Sequence, residues 1–302
     1  MKVFITGASG FIGSAVTREL LAAGHQVLGL ARSDKSAAAV AAAGAEVLRG
    51  DLEDLDSLRR GAADSDGVIH TAFMHDFANF AKSTGADRTA IETIGAVLAG
   101  SDRPLVVSAG TPGLTEGRLV TEDVTRFDSP LPRFSESAAL LLVAQRVRVS
   151  VMRLPRSVHG EGDHGFIAQL IALARAKGVA GYPGDGSNRW PAVHRLDTAR
   201  LYRIALESAP AGTLLHAVGD EGVPVRDIAA AIGRGLSLPV VSVPLSDVND
   251  HFGPFLGRIY CFDCPSTSAL TQERYGWRPE QPGLLADIDQ GHYFKEEAVI
   301  SH

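Results

Sequence analysis

The stretch KVFITGASGFIG, residues 2–13, decides the fold. Its apolar start has the composition of a buried strand, and it runs without a linker into a glycine-rich turn and a helical pattern. In such a turn Gly7 permits the tight bend, Gly10 lets the backbone approach a pyrophosphate, and Gly13 lets the helix pack closely against the strand. The start of the helix adds free N–H groups, which attract phosphate. The stretch therefore predicts a dinucleotide site with contacts from Gly7, Ser9, Gly10, Phe11, Ile12 and Gly13.

The first half of the chain repeats this alternation of strand and helix. Apolar runs such as QVLGLA (26–31) and GVIHTAF (67–73) alternate with helical patterns such as SAVTRELLAAG (14–24). Strands this apolar are covered on both faces, as in a parallel sheet with helices on each side. We predict an α/β fold with a Rossmann-type doubly wound parallel sheet in residues 1–155.

Beyond residue 155 the alternation loosens into Gly-rich loops, HGEGDHG (159–165) and GYPGDGSNRWP (181–191), with helical stretches such as LDTARLYRIALESA (196–209). No Pro/Ser-rich linker and no internal repeat separates this part from the first. Independent domains are usually separated by an exposed, flexible linker, and this chain has none at that point. We therefore predict a smaller C-terminal substrate lobe in residues 156–302, interlaced with the sheet.

Composition narrows the choice of partners. The 302 residues carry a net charge of −6 with both signs interspersed, so neither nucleic acid nor a membrane surface is expected as a partner. No signal-peptide pattern and no apolar run of roughly 18 residues is seen, and we expect a soluble, cytoplasmic protein. Cys261 and Cys264 form a lone C-x-x-C, which favours ordinary thiols. No metal is expected, because His159, Asp163 and His164 are loop neighbours without a helical ligand pair.

The turn TGASGFIG (6–13) resembles the T-G-x-x-G-x-x-G motif of extended members of the short-chain dehydrogenase/reductase superfamily, which includes epimerase- and dehydratase-like enzymes. The likeness covers nearly the whole chain, through RGDLEDLDSL (49–58), AVHRLDTARLYRIALE (192–207) and STSALTQERYGWRPE (266–280). It implies an adenine contact near Gly50, a cofactor loop after the fourth strand and a nicotinamide contact in RLPRSVHG (153–160). The residues so implied are Asp51, Leu52, Thr71, Ala72, Phe73, Pro155 and Val158.

The end of the second strand chooses between NAD and NADP. An acidic residue there binds the 2′-hydroxyl of NAD, whereas a basic one accommodates the 2′-phosphate of NADP. This chain has Arg32 and then Ser33, a guanidinium and a hydroxyl, which favours NADP, with NADPH preferred over NADH. In the alternative, Arg32 is a solvated surface arginine and Asp34 binds an NAD ribose.

The resemblance also implies a catalytic serine and a Tyr-x-x-x-Lys pair. Ser108, in VVSAGTPG (106–113), matches the serine, which would contact both cofactor and substrate. Alignment of PRFSE (132–136) with Y-x-x-S-K places Pro132 at the tyrosine and Glu136 at the lysine. None of the five tyrosines has a lysine four residues later in the chain. In this the chain resembles the members of the superfamily that are called atypical. Glu136 would then accept a hydrogen bond from the nicotinamide ribose.

Replacement proton donors are expected in loops at the carboxyl ends of strands, where a doubly wound sheet holds its ligand. His75 and Asp76 follow the fourth strand, and His159 and His164 follow the sixth. Because an imidazole titrates near neutrality, His159 and His164 are predicted catalytic residues, against the alternative of solvent-facing or backbone-bonded histidines. His194 either lines the pocket or is structural.

These observations predict an NADP-dependent oxidoreductase acting on a small carbonyl or alcohol. A non-catalytic NADP-binding redox sensor and an epimerase or dehydratase with transient oxidation are the alternatives. A small molecule is the expected partner. The apolar stripe of residues 134–146 is either a homodimer face or part of the core.

Overall fold

The computed structural model describes residues 1–76, 79–111, 118–125 and 133–295. Its strands are β1 (Lys2–Thr6), β2 (Gln26–Ala31), β3 (Glu46–Arg49), β4 (Gly67–His70), β5 (Pro104–Gly110), β6 (Arg148–Leu154), β7 (Ser157–His159), β8 (Ala180–Pro183), β9 (Arg189–His194), β10 (Thr213–His216), β11 (Asp220–Pro224) and β12 (Val240–Val243).

The helices are α1 (Phe11–Ala22), α2 (Asp34–Ala42), α3 (Leu55–Ala63), α4 (Phe80–Leu98), α5 (Ser135–Leu141), α6 (Phe166–Lys177), α7 (Arg195–Ser208), α8 (Val225–Leu236), α9 (Val248–Phe252), α10 (Pro254–Tyr260), α11 (Ala269–Tyr275) and α12 (Leu284–Asp289). Short 3₁₀ turns lie at Leu142–Gln145, Leu245–Asp247 and His292–Phe294.

Seven parallel strands form the central sheet in the order β10-β6-β5-β4-β1-β2-β3. Strand β1 pairs with β2 on one side and with β4 on the other, so the direction of winding reverses between β1 and β4. Such a reversal leaves a crevice outside the carboxyl ends of the strands, where doubly wound sheets bind ligands. The predicted Rossmann-type sheet is confirmed.

The two faces of the sheet explain why its strands are so apolar. Val3 and Ile5 point to the side covered by α1 and α7, where they share a core with Leu201. Phe4, between them in sequence, points to the opposite side and packs in a separate core with Leu58 and Ile91. Side chains alternate along a strand, so a strand covered on both faces is apolar on both sides rather than at every second position.

The second lobe contains the three-stranded sheet β11-β9-β7 and the two-stranded sheet β12-β8. Its core includes Trp190 and Tyr260, whose rings meet edge to face with centroids 5.0 Å apart. This part of the chain also completes the first sheet, because β10 pairs with β6 and α7 packs against α1. A cut after residue 155 thus does not separate two independent units. Among the described residues, no helix combines the length and apolarity needed to span a membrane.

Candidate active site

A cleft of about 940 Å³ follows the carboxyl edge of the central sheet and extends to α6 and α10 of the second lobe. The ends of β1, β2 and β3 border one part of it, and the ends of β4, β5 and β6 border the next. Most of the predicted cofactor contacts line this cleft: Gly7, Ser9, Gly10, Phe11, Ile12, Gly13, Arg32, Asp51, Leu52, Thr71, Ala72, Phe73, Pro155 and Val158.

The glycine turn has the geometry of a pyrophosphate cradle. Gly7 has a φ of +74°, which glycine adopts without strain. A Cβ on Gly13 would lie 2.0 Å from the carbonyl oxygen of Gly7, so only glycine fits between helix and strand there. A Cβ on Gly10 would meet only that oxygen, at 3.2 Å, and otherwise project into open space. Gly10 is also the N-cap of α1 and offers no side-chain bond to the first helical turn, whose N–H groups remain available to phosphate.

Arg32 lines the cleft beyond the end of β2. The prediction for its neighbour Ser33 requires a correction, because Ser33 does not line the cleft and its Oγ accepts a hydrogen bond from the Ser36 N–H as the N-cap of α2. Asp34, the acidic alternative, points elsewhere and pairs with Arg49 at 2.8 Å. The cleft therefore has a guanidinium and no competing Asp34 carboxylate at this end.

Arg133 occupies the cleft at the ends of β4 and β5. Its guanidinium lies over the ring of Phe73, 4.1 Å from the centroid. Nε donates to Ser135 Oγ at 2.7 Å, and Nη2 donates to the carbonyl oxygen of Ser108 at 3.3 Å. The carboxylate of Asp87 is 3.9 Å away. Burial lowers the pKa of Arg133 and Asp87 raises it, but an arginine stays protonated at any physiological pH.

A network of buried hydrogen bonds around Asp87 supports Arg133. Asp87 receives hydrogen bonds from Ser135 and from His70 Nε2, the latter at 3.1 Å, and the other ring nitrogen of His70 lies 2.9 Å from Thr6 Oγ1. Burial alone would raise the pKa of Asp87, yet these hydrogen bonds and the charges of His70 and Arg133 bring it below the usual range. The carboxylate is therefore ionised and fixes the guanidinium in place.

Two histidines face the cleft. His75 packs its ring edge to face against Phe73 at 5.3 Å, and burial, together with the charge of Arg133, lowers its pKa. It is therefore a neutral imidazole at neutral pH. His164 is exposed, lines the cleft and packs against Phe11 with ring centroids 5.8 Å apart, and its catalytic role stays a prediction.

His159 requires a correction. Its side chain is fully buried, it does not line the cleft, and its Nδ1 lies 2.9 Å from the Asp287 carboxylate. Strand β7 pairs with β9 and turns this residue inward, against the ring of His194. His194 itself accepts the Leu196 N–H as the N-cap of α7. Both histidines are structural in this arrangement.

Residues 3–95 match the model of the NAD dependent epimerase/dehydratase family. Over 296 residues the chain is 47% identical to an uncharacterized protein of Schizosaccharomyces pombe, a match that covers 97% of this chain and 100% of that protein. The chain belongs to the NAD-dependent epimerase/dehydratase family.

Two further comparisons are with named enzymes. It is 28% identical over 268 residues to a 2-alkyl-3-oxoalkanoate reductase of Stenotrophomonas maltophilia, covering 82% of this chain and 79% of that one. A dTDP-glucose 4,6-dehydratase of Streptomyces venezuelae, solved with NAD and TYD bound, has the same fold with a TM-score of 0.78 at 20% identity, over 97% of this chain and 96% of that chain. The resemblance to the short-chain dehydrogenase/reductase superfamily is confirmed, and the family and its reductase relative indicate a protein like the NAD(P)-dependent oxidoreductases, epimerases and dehydratases.

The serine that matched the epimerase/dehydratase family pattern does not face the cleft. Ser108 Oγ donates to the His70 carbonyl at 2.7 Å and lies 2.6 Å from the Tyr202 hydroxyl on the far side of β5. Its assignment to catalysis and cofactor binding is therefore corrected. Thr111, just beyond the strand, lines the cleft instead.

Of the two residues that align with the Tyr-x-x-x-Lys pair, only Glu136 can be described. Pro132 lies outside the described residues. Glu136 lines the cleft, but both its oxygens are engaged by Arg153, whose Nε and Nη2 donate at 2.7 and 2.6 Å. Arg153 is fully buried, so Glu136 neutralises an internal charge. Its predicted contact with the nicotinamide ribose remains a prediction.

The cleft residues of this family member that sequence reasoning missed include Thr111, Arg133 and Arg156. Arg133 directly follows the position of the missing phenol, which is the one signal that could have pointed to it. Arg156 lies inside the segment compared with the family's nicotinamide loop, where it was passed over for its neighbours Pro155 and Val158.

No group of three His, Cys, Asp or Glu side chains that could hold a metal ion occurs within the described part of the chain. Cys261 is exposed and Cys264 is buried, and both are free thiols. Burial raises the pKa of Cys264, which makes it a weak nucleophile.

Proposed function

We propose that this family member is an NADP-dependent reductase of a small carbonyl compound, in which Arg133 replaces the missing phenol as the group that binds the substrate oxygen. The observation that carries the proposal is the guanidinium of Arg133, held over Phe73 in the cleft by Ser135 and the ionised Asp87. The related 2-alkyl-3-oxoalkanoate reductase supports carbonyl reduction as the reaction.

The cofactor preference rests on Arg32. A guanidinium matches a 2′-phosphate in shape and charge, and Asp34 is engaged by Arg49. Bound NADPH would supply a hydride to the carbonyl carbon.

The chain's own residues then have to manage the charge on oxygen. As the carbonyl oxygen becomes an alkoxide, Arg133 donates hydrogen bonds to it and stabilises the negative charge without losing a proton. Thr111, just beyond β5, supplies its hydroxyl as a second hydrogen-bond donor to this oxygen. The alcohol product needs one proton, which the exposed imidazole of His164 relays from solvent to the cleft.

Single-turnover oxidation of NADPH with a panel of aldehydes and ketones tests this proposal. Arg133→Ala and Thr111→Val should each slow the reaction about 10²–10³-fold, as loss of an oxyanion donor does. Arg133→Lys should recover part of the rate, because it restores a cation. Arg88→Ala removes an exposed arginine of α4 and serves as the control at parental rate, with NADPH affinity measured for each variant.

Two outcomes would replace the proposal. If no carbonyl compound oxidises NADPH above the rate without protein, while oxidised and reduced cofactor bind with different affinities, the chain is a redox sensor. If sugar nucleotides are isomerised or dehydrated without net NADPH oxidation, it is an epimerase or dehydratase.

Two expectations on context accompany the proposal. The free thiols Cys261 and Cys264 are compatible with the cytoplasm.

The apolar side chains of Phe134, Leu141 and Val143 are 40%, 66% and 38% exposed. A second copy of the chain would cover them in a homodimer. Light scattering of the parent and of Leu141→Glu tests the dimer, which the glutamate should dissociate.

A further inference from the structure

Arg156 is a cleft residue that no step above uses. It follows β6 and Pro155, so its backbone lies at the part of the cleft where the nicotinamide is expected. Its side chain is only partly exposed, and its Nε is buried without a hydrogen-bond partner among the described residues. The guanidinium contacts the thiol of Cys264, which is a weak acceptor.

The carboxylates around Arg156 are taken by other arginines. Asp263, next to Cys264 in sequence, pairs with Arg189 at 2.9 Å. Glu136, in the cleft wall, pairs with Arg153 at 2.6 Å. In the described parts of the chain, Arg156 has no carboxylate within ion-pair distance. A buried guanidinium nitrogen without a partner loses hydration that a protein normally replaces, and this indicates that the partner is a ligand.

The wall beside Arg156 is apolar. Helix α10 presents Phe255 and Ile259, one helical turn apart, and Phe262 follows it. Phe166 of α6 completes the wall, with its ring centroid 6.5 Å from that of Phe255. These four side chains fit hydrocarbon, and Gln169 of α6 lines the same cleft as a neutral polar neighbour.

We propose that Arg156 is a specificity-determining residue and that the substrate is an oxo acid, a carbonyl compound with a carboxylate bound by Arg156 and an aliphatic or aromatic body against the α6–α10 wall. This inference rests on the proposed reductase function, because it assigns the carbonyl oxygen to Arg133. It adds the second anchor, which fixes which end of the substrate faces the cofactor.

A single carboxylate fits better than a phosphate. One guanidinium balances one negative charge, and the neighbouring wall supplies no further cation from Phe166, Phe255, Ile259 or Phe262. A phosphate dianion would keep uncompensated charge against aromatic rings, which is costly.

Equilibrium binding to the NADP-loaded protein tests the site without requiring turnover. Hexanoate, methyl hexanoate and pentylphosphonate have similar tails and differ in charge. Calorimetry should show hexanoate binding at least about 10-fold more tightly than the ester, as expected for a charge-assisted hydrogen bond. Equal affinity of acid and ester would overturn the proposal, and tighter binding of the phosphonate would overturn the choice of carboxylate.

Variants assign the effect to the residue. Arg156→Met should remove the preference for hexanoate, and Arg156→Lys should restore part of it. Arg258→Met removes an exposed arginine from α10 outside the cleft and should keep the parental preference. Circular dichroism melting confirms that each variant is folded. A preference for the acid that survives in Arg156→Met would refute the assignment.

The reaction is then measured with 2-, 3- and 4-oxohexanoate and their methyl esters. We expect at least one acid to be reduced with a kcat/KM about 10–100-fold above that of its ester, and Arg156→Met to abolish that ratio. If hexanoate binding depends on Arg156 but no oxo compound oxidises NADPH, the reductase function fails and the anion site remains. If acids and esters are reduced equally by parent and Arg156→Met, the anion site fails and the reductase function remains.

Discussion

The hydroxyl oxygens of Ser108 and Tyr202 lie 2.6 Å apart in a contact from which solvent is excluded. Ser108 donates its proton to the His70 carbonyl, so it accepts the proton of Tyr202. Burial raises the pKa of Tyr202, and the phenol stays neutral as a donor. The pair joins β5 to α7 and belongs to the structure of the sheet.

The first prediction is that Ser108→Ala lowers stability and leaves chemistry intact. The substitution leaves the Tyr202 hydroxyl buried without an acceptor, which costs about 1–3 kcal/mol of unfolding free energy. Chemical denaturation should show this loss, while NADPH affinity stays at the parental value. In a double-mutant cycle with Tyr202→Phe the two losses should be less than additive. A normal melting curve with lost turnover would return Ser108 to the active site.

The glycines of the β1–α1 turn should separate binding from folding. Gly10→Val should fold and lose NADP binding, because its side chain projects into open space on the cleft side of the turn. Gly13→Ala should lose stability, because its Cβ would lie 2.0 Å from the Gly7 carbonyl oxygen and overpacking typically costs about 1–3 kcal/mol or more. Calorimetric titration and thermal melting of both variants check this contrast, and Gly10→Val with parental affinity would contradict it.

Cofactor choice should depend on Arg32. Loss of charge-assisted bonds to the 2′-phosphate, about 1.5–3 kcal/mol, corresponds to roughly a 10- to 100-fold loss in affinity. Arg32→Ala should therefore weaken NADP binding by that factor and leave NAD binding nearly unchanged. Arg88→Ala, which removes an exposed arginine of α4 outside the cleft, is the control. Equal losses for both cofactors in Arg32→Ala would indicate a role unrelated to the phosphate.

Stability should fall on acidification because of His216. Burial, and the charge of Arg153, hold its pKa at about 4, while an unfolded histidine titrates near 6.5. Its Nδ1 faces the Thr267 carbonyl and its Nε2 faces Arg153 Nη1, so a second proton would point at a cation. Between about pH 6.5 and 4 the unfolded chain binds more protons than the folded one, and stability is lost as the pH falls, by at most roughly 1.4 kcal/mol per pH unit.

Denaturation at a series of pH values measures that slope. His216→Gln cannot titrate and should flatten it, whatever its stability at neutral pH. His164→Gln, at an exposed position, should keep the parental slope. An unchanged slope in His216→Gln would mean that other groups cause the acid sensitivity.

Local signals in the sequence were sufficient for the sheet and the glycine turn. Each requirement there lies within a dozen residues, in the alternation of apolar runs and in glycines that a bend and a close contact demand. The cofactor side of the cleft follows from this turn and from the order of the strands.

The catalytic side depends on contacts between distant parts of the chain. Ser108 ends a strand, but which face its side chain takes is fixed by Tyr202, which lies far along the chain on α7. In the sequence, His159 has the surroundings of a loop residue. In the structure it lies on β7, which pairs with β9, and it contacts Asp287 of α12. No sequence periodicity indicates Arg133 or Arg156 as site residues, because their surroundings come from distant parts of the chain. Arg133 lies near the buried carboxylate of Asp87, and Arg156 has no carboxylate within ion-pair distance among the described residues.

The position of β10 has a consequence for synthesis on the ribosome. Strand β6 remains the unpaired outer edge of the sheet until Thr213–His216 have emerged, after β7, α6, β8, β9 and α7 of the second lobe. An unpaired edge of buried apolar residues is a template for association with other chains. A nascent chain halted in this interval, or a fragment ending near residue 155, would therefore be prone to aggregate, whereas a chain that extends past His216 covers this edge.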